Sequence, residues 1–217
     1  MLGALGRYLG PERFRRYHHL SSKETRILDV GCGNNSPALS KKYFPKCDYT
    51  GVDYKEPDDL SEIDRFLKVD LNGSLEELEG LEDGSYDLIF LSHVIEHINS
   101  VERLLPVLAH KVSSTGKIYV EFPSVRSLSL PSMHGTLNFC DDETHIRVHT
   151  VENIANILLQ CGLRIEYGGR RFNWVLAALT PVVYLYKILI SKPIEGYASA
   201  FWDVCHFADV VIATPRE

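Results

Sequence analysis

Cysteine is scarce in this 217-residue chain, and the five that occur, from Cys32 to Cys205, form no Cys-x-x-Cys pair. That spacing excludes a zinc ribbon or a disulfide-exchange motif, and it indicates reduced thiols in a cytoplasmic protein. An excess of positive charge is also missing, since 29 acidic and 23 basic residues give a formal charge of −6. We expect no nucleic-acid partner, because such a surface requires a basic field.

A secretory signal and a long uninterrupted hydrophobic run are missing too, so neither export nor a membrane-spanning helix is expected. The most apolar stretch, residues 172–190, is broken by Pro181 and Lys187. Two interpretations of it stay open. It forms a helix pair in the core or in a homodimer, or it is a surface for a lipid-like molecule and peripheral membrane contact.

Residues 27–37 form the most informative stretch. The apolar residues Ile27, Leu28 and Val30 end at two glycines, Gly31 and Gly33. This pattern predicts a buried parallel strand, a tight turn with positive φ, and a helix. We expect Ser36 to cap that helix and Pro37 to take its first position, which exposes backbone donors at the carboxyl edge of a sheet.

A second apolar stretch ends in Asp53, 24 residues after Asp29. At this sequence spacing, the carboxylate of Asp53 is suited to accept hydrogen bonds from the two hydroxyls of an adenosine ribose. The third glycine of the dinucleotide-binding pattern is absent, because Ser36 and its neighbours stand there. That absence disfavours a pyrophosphate cofactor.

With these motifs in this order, the chain resembles the class I S-adenosylmethionine-dependent methyltransferases, in particular their type 11/23-like subgroup. The resemblance implies an α/β fold, a Rossmann-like seven-stranded mostly parallel sheet with helices on both faces and an antiparallel last strand. It covers most of residues 26–168. The segments that carry it are residues 29–33, 53–54, 69–71, 86–97 and 116–120.

The same resemblance implies S-adenosyl-L-methionine as the cofactor, with Asp29 orienting the glycine loop or meeting the methionyl amine. The backbone of residues 31–33 faces the methionine part, Asp53 holds the ribose, and Tyr54, Asp70 and Leu71 lie near adenine. The implied cofactor-binding residues are Asp29, Gly31, Cys32, Gly33, Asp53, Tyr54, Asp70, Leu71 and Ser92.

Two histidines are the candidates for catalysis. His93 follows the predicted fourth strand, where the methyl group of the cofactor would point, and an imidazole acts near neutral pH, so it is a candidate base or acceptor-orienting group. The alternative is that it caps the next helix or packs beside the cofactor. His145 either closes over the acceptor or ties its loop to the domain. His93, Glu96 and His97 share one helical face, but such spacing overpredicts metal sites, and we expect no metal.

We expect a single domain over residues 1–217, with substrate-side insertions at about 124–149 and 169–204. Residues 1–24 form a helical segment, and its basic first 20 residues either pack on the sheet edge or cover an anionic substrate. The predicted function is methyl transfer to a small-molecule or lipid-like acceptor. The alternatives are a cofactor-binding, non-catalytic partner subunit and an NAD-dependent oxidoreductase.

Overall fold

The computed structural model describes residues 10–132, 137–189 and 198–216, and its centre is a seven-stranded sheet. The strands are β1 (Arg26–Val30), β2 (Asp48–Asp53), β3 (Arg65–Lys68), β4 (Tyr86–Ser92), β5 (Val112–Pro123), β6 (Leu163–Arg170) and β7 (Ala208–Pro215). Their order is β3-β2-β1-β4-β5-β7-β6. Neighbouring strands within the group β1 to β5 pair in parallel, and β7 runs antiparallel to both β5 and β6. The expected fold class is confirmed.

Helices cover both faces of the sheet because the side chains of its central strands alternate between two cores. In β1, Leu28 packs in a cluster with α-helical leucines, whereas the adjacent Ile27 packs with Phe14 on the other face. All three are completely buried. The α-helices are α1 (Glu12–Arg16), α2 (Ser36–Tyr43), α3 (Glu76–Glu79), α4 (Val101–Lys111), α5 (Val151–Gln160), α6 (Trp174–Leu189) and α7 (Ala198–Cys205).

The apolar stretch 172–190 forms most of α6, which follows β6 at the carboxyl edge of the sheet. Trp174, Val182 and Leu185 on this helix are between 60% and 72% exposed. Within the described ranges, no helix has the length and apolarity required to cross a bilayer. Residues 190–197 of this insertion, 133–136 of the earlier one and the predicted helix before residue 10 lie outside the described residues.

The predicted cap of α2 is wrong. Asn35 precedes the helix, Ser36 is its first residue and Pro37 its second. The Ser36 hydroxyl donates to the buried carboxylate of Asp29 instead of accepting from the helix. A buried carboxylate needs donors, and this tertiary partner outweighs the local capping preference of serine.

Candidate functional site

The loop after β1 and the acid at the end of β2 meet as the sequence predicts. Gly31 and Gly33 have φ of +74° and +52°, which favours glycine at both positions. The Gly33 amide donates to Asp53 Oδ2 at 3.0 Å. At Gly31, a Cβ would lie 2.3 Å from Cγ2 of Val94, so only glycine fits there without rearrangement. The turn therefore exposes backbone beside a carboxylate.

A cavity of about 740 Å³ opens beside this turn, along the carboxyl ends of β1 to β4. That volume lies within the range of small-molecule sites. Tyr54 is 73% exposed at its mouth. Six of the predicted cofactor-binding and catalytic residues line it: Gly31, Asp53, Tyr54, Asp70, Leu71 and His93.

Three other sequence-predicted residues lie elsewhere. Asp29 is buried, and its Oδ2 accepts from the Tyr49 hydroxyl at 2.8 Å as well as from Ser36. These contacts fit the loop-orienting role. Cys32 packs in the core, where burial raises the pKa of its thiol to about 12. Ser92 lies at the end of β4 and lines a second cavity.

His93 follows β4 in a left-handed conformation, with φ of +56°. Its Nδ1 lies 3.2 Å from Glu96 Oε1, and its Nε2 lies 3.2 Å from Glu121 Oε1. Burial disfavours the charged ring, but hydrogen bonds to both carboxylates outweigh it and raise the His93 pKa to about 9. At pH 7 both nitrogens therefore carry protons and donate to these carboxylates, which leaves His93 no lone pair with which to act as a base.

Sequence reasoning missed the buried network behind His93. Arg171 donates from Nη1 to Glu121 Oε1 and from Nε to Asp203 Oδ1, each at 3.0 Å. Burial favours the neutral form of Glu121, yet Arg171 and His93 hold its pKa well below the usual range. Burial raises the Asp203 pKa to about 6. The one signal in the sequence was a glutamate inside the apolar strand β5.

His145 does not line the larger cavity. Its Nδ1 lies 2.7 Å from the Phe139 carbonyl oxygen, a contact that ties the loop to itself. Ligand atoms of Glu96, His97 and His145 lie within 4.8 Å of one another, close enough for a metal ion. Glu96 Oε2 is buried and has no hydrogen-bond partner among the described residues. The expectation of no metal stays a prediction.

The second cavity, of about 330 Å³, lies against the other side of His93. Trp202 forms part of its wall, with its ring 4.9 Å from the His93 ring and 4.6 Å from that of Phe207. His93 contributes to the lining of both cavities, so one side chain separates them. Three arginines also line the smaller cavity, Arg13, Arg15 and Arg171.

A glycine turn and an acid at the ends of neighbouring parallel strands, where the strand order changes direction, are typical of the nucleotide-binding doubly wound class. Within that class the chain belongs to a methyltransferase family, because a family model described as a methyltransferase domain matches residues 6–167. Family and fold agree with the resemblance seen in the sequence, and they support S-adenosylmethionine as the cofactor.

Solved structures show the same fold. An S-adenosylmethionine-dependent methyltransferase from Archaeoglobus fulgidus is 23% identical, with a TM-score of 0.59 over 93% of this chain and 90% of that one. One from Mesorhizobium loti is 16% identical, with a TM-score of 0.61 over 91% and 94%. Coclaurine N-methyltransferase, bound to N-methylheliamine and S-adenosylhomocysteine, is 14% identical, with a TM-score of 0.55 over 95% and 76%.

Proposed function

We propose that the protein transfers the methyl group of S-adenosylmethionine to a small-molecule acceptor. The observation that carries this proposal is the Gly33 amide donating to Asp53 at the rim of the larger cavity. It joins the glycine turn to an acid placed to meet a ribose. His93, between that cavity and the smaller one, supports a division into a cofactor side and an acceptor side.

On the cofactor side, we assign the ribose hydroxyls to Asp53. Its Oδ2 already accepts from Gly33, and its Oδ1 accepts from the Lys55 amide at 3.1 Å. These bonds fix the carboxylate while leaving lone pairs for a ligand, because each oxygen accepts more than one hydrogen bond. Tyr54 and Leu71 offer apolar surface to adenine, and Asp70 offers an acceptor to its amino group.

On the acceptor side, the chemistry needs position more than proton transfer. The acceptor donates a lone pair to the methyl carbon as the carbon–sulfur bond breaks, and sulfur keeps the bonding pair to give S-adenosylhomocysteine. Holding the two reactants in line supplies much of the rate. A protonated His93 has no free nitrogen lone pair with which to take a proton from the acceptor, so that proton leaves to solvent.

The exposed apolar side chains of α6 favour a lipid-like acceptor as the second candidate. Trp174 is 72% exposed, and Leu176, two residues further along, lines the smaller cavity. An apolar acceptor could therefore extend from the cavity onto the helix surface. We also propose that the same surface forms a homodimer or makes peripheral contact with a membrane.

The direct test is turnover. Purified protein, S-adenosylmethionine and fractionated cell extract are incubated, and S-adenosylhomocysteine is measured against a sample without protein. We expect extract-dependent product. Titration calorimetry with S-adenosylmethionine and with NAD separates the remaining classes. Cofactor binding with no turnover on any fraction would favour the non-catalytic partner subunit, and binding of NAD alone would favour the oxidoreductase.

A further inference from the structure

Among the residues that the structure describes, two of the three arginines in the smaller cavity have no acidic partner. Arg171 is paired with Glu121 and Asp203. In the described parts of the chain, by contrast, no carboxylate oxygen lies within 4.0 Å of a side-chain nitrogen of Arg13 or Arg15. Among these residues the two guanidinium groups therefore have no carboxylate in direct contact, and Ser36 bridges Arg13 to the buried carboxylate of Asp29.

The acidic residues that line the same cavity do not fully cancel the positive charge of Arg13 and Arg15. Arg16 contacts Oε1 of Glu12, whose Oε2 has no hydrogen-bond partner among the described residues, and Arg171 contacts Oδ1 of Asp203. His93, also in the lining, adds a charge that Glu96 and Glu121 balance. His93 and Arg171 carry two positive charges against the three carboxylates of Glu96, Glu121 and Asp203, so with Arg13 and Arg15 the groups around the cavity keep one surplus positive charge.

Both arginines also hold donors that lack acceptors. Nε of Arg13 and Nε of Arg15 are buried and have no hydrogen-bond partner among the described residues. Arg13 is fixed in place, since its Nη2 donates to Ser36 at 2.7 Å and its guanidinium lies 4.7 Å from the centre of the Phe14 ring.

Trp202 and Leu176 add apolar side chains to the lining of the same cavity. We propose that the acceptor is a small planar organic acid, an inference that rests on the proposed function. Its carboxylate or phosphate binds Arg13 and Arg15, and its apolar body packs against Trp202. A guanidinium suits either anion because its donors form a planar fork. A cavity of about 330 Å³ is at the small end of ligand sites, which limits the acceptor to a small molecule.

The test is titration calorimetry on the full chain saturated with S-adenosylhomocysteine, so that no turnover occurs. The probes are benzoate, phenyl phosphate and the neutral benzamide. We expect one of the two anions to bind at least about tenfold more tightly than benzamide, because charge-assisted hydrogen bonds are the stronger ones. The preferred anion distinguishes a carboxylate from a phosphate source. High salt should weaken anion binding and leave benzamide binding unchanged.

Arg15→Gln is the main variant, and we expect it to weaken the preferred anion about tenfold or more while S-adenosylhomocysteine affinity stays unchanged. Arg65→Gln is the matched control, since it removes one positive charge from the exposed start of β3 and should alter neither affinity. If Arg15→Gln unfolds, Arg15→Lys keeps the charge but not the fork, and its anion affinity should be intermediate.

Equal binding of benzamide and the anions, binding of no probe, or an Arg15 variant with unchanged anion affinity would overturn the anionic acceptor. If S-adenosylhomocysteine still binds in those experiments, the proposed function stands without this inference. Failure of S-adenosylhomocysteine to bind the wild-type chain would remove the proposed function and the inference together.

Discussion

The ring of His93 donates to Glu121 across 3.2 Å, and this bond joins the end of β4 to the neighbouring strand β5. It makes stability depend on pH. The His93 pKa rises from 6.5 to about 9 on folding, so its contribution is fully present below pH 6.5 and is lost as pH rises through 9. We expect the free energy of unfolding in urea to fall over that interval.

The His93→Gln variant isolates this effect. Because glutamine does not titrate, the stability difference between wild type and variant should shrink as pH rises from about 7 to about 10. Measurements above pH 7 avoid the titration of Asp203, whose pKa is about 6. A difference that stays constant across the range would show that the ring is not held protonated by its two carboxylates.

The two glycines of the turn should differ in their tolerance of alanine. Both have positive φ, which costs an alanine roughly 1–2 kcal/mol. At Gly31 the new methyl would also collide with Val94, whereas nothing lies within 4 Å of a Cβ at Gly33. We expect Gly31→Ala to lose about 1–3 kcal/mol more in urea unfolding, because overpacking costs that much. Equal losses would contradict the tight contact.

Chelation tests the expectation of no metal at Glu96, His97 and His145. His93 supplies the positive charge that compensates Glu96, and His145 Nδ1 already contacts the Phe139 carbonyl. We therefore expect dialysis against EDTA to leave turnover and the thermal midpoint unchanged. Lost turnover that Mg²⁺ or Zn²⁺ restores would instead assign a cation to the partnerless Glu96 oxygen.

The features that depend on local sequence, namely the strand, the glycine turn and the acid at the end of the next strand, were predictable. The strand and glycine turn around Gly31 and the acid Asp53 follow from spacing and backbone freedom, and the structure brings them together. Ser36 was assigned wrongly because its partner, Asp29, is tertiary. For the same reason the Arg171 network was missed: its partners lie 50 and 32 residues away, and single-sequence patterns do not encode such pairings.

We propose that Asp53 and the glycine turn hold the adenosyl cofactor. Titration calorimetry with S-adenosylmethionine on wild type, Asp53→Ala and Asp59→Ala tests this proposal. Asp59→Ala is the control, because the wild-type Asp59 carboxylate is exposed and contacts Ser61. Losing two hydrogen bonds to a charged acceptor should cost Asp53→Ala at least about 1.5 kcal/mol of binding free energy. The control should bind like wild type. Unchanged affinity in Asp53→Ala would contradict the claim.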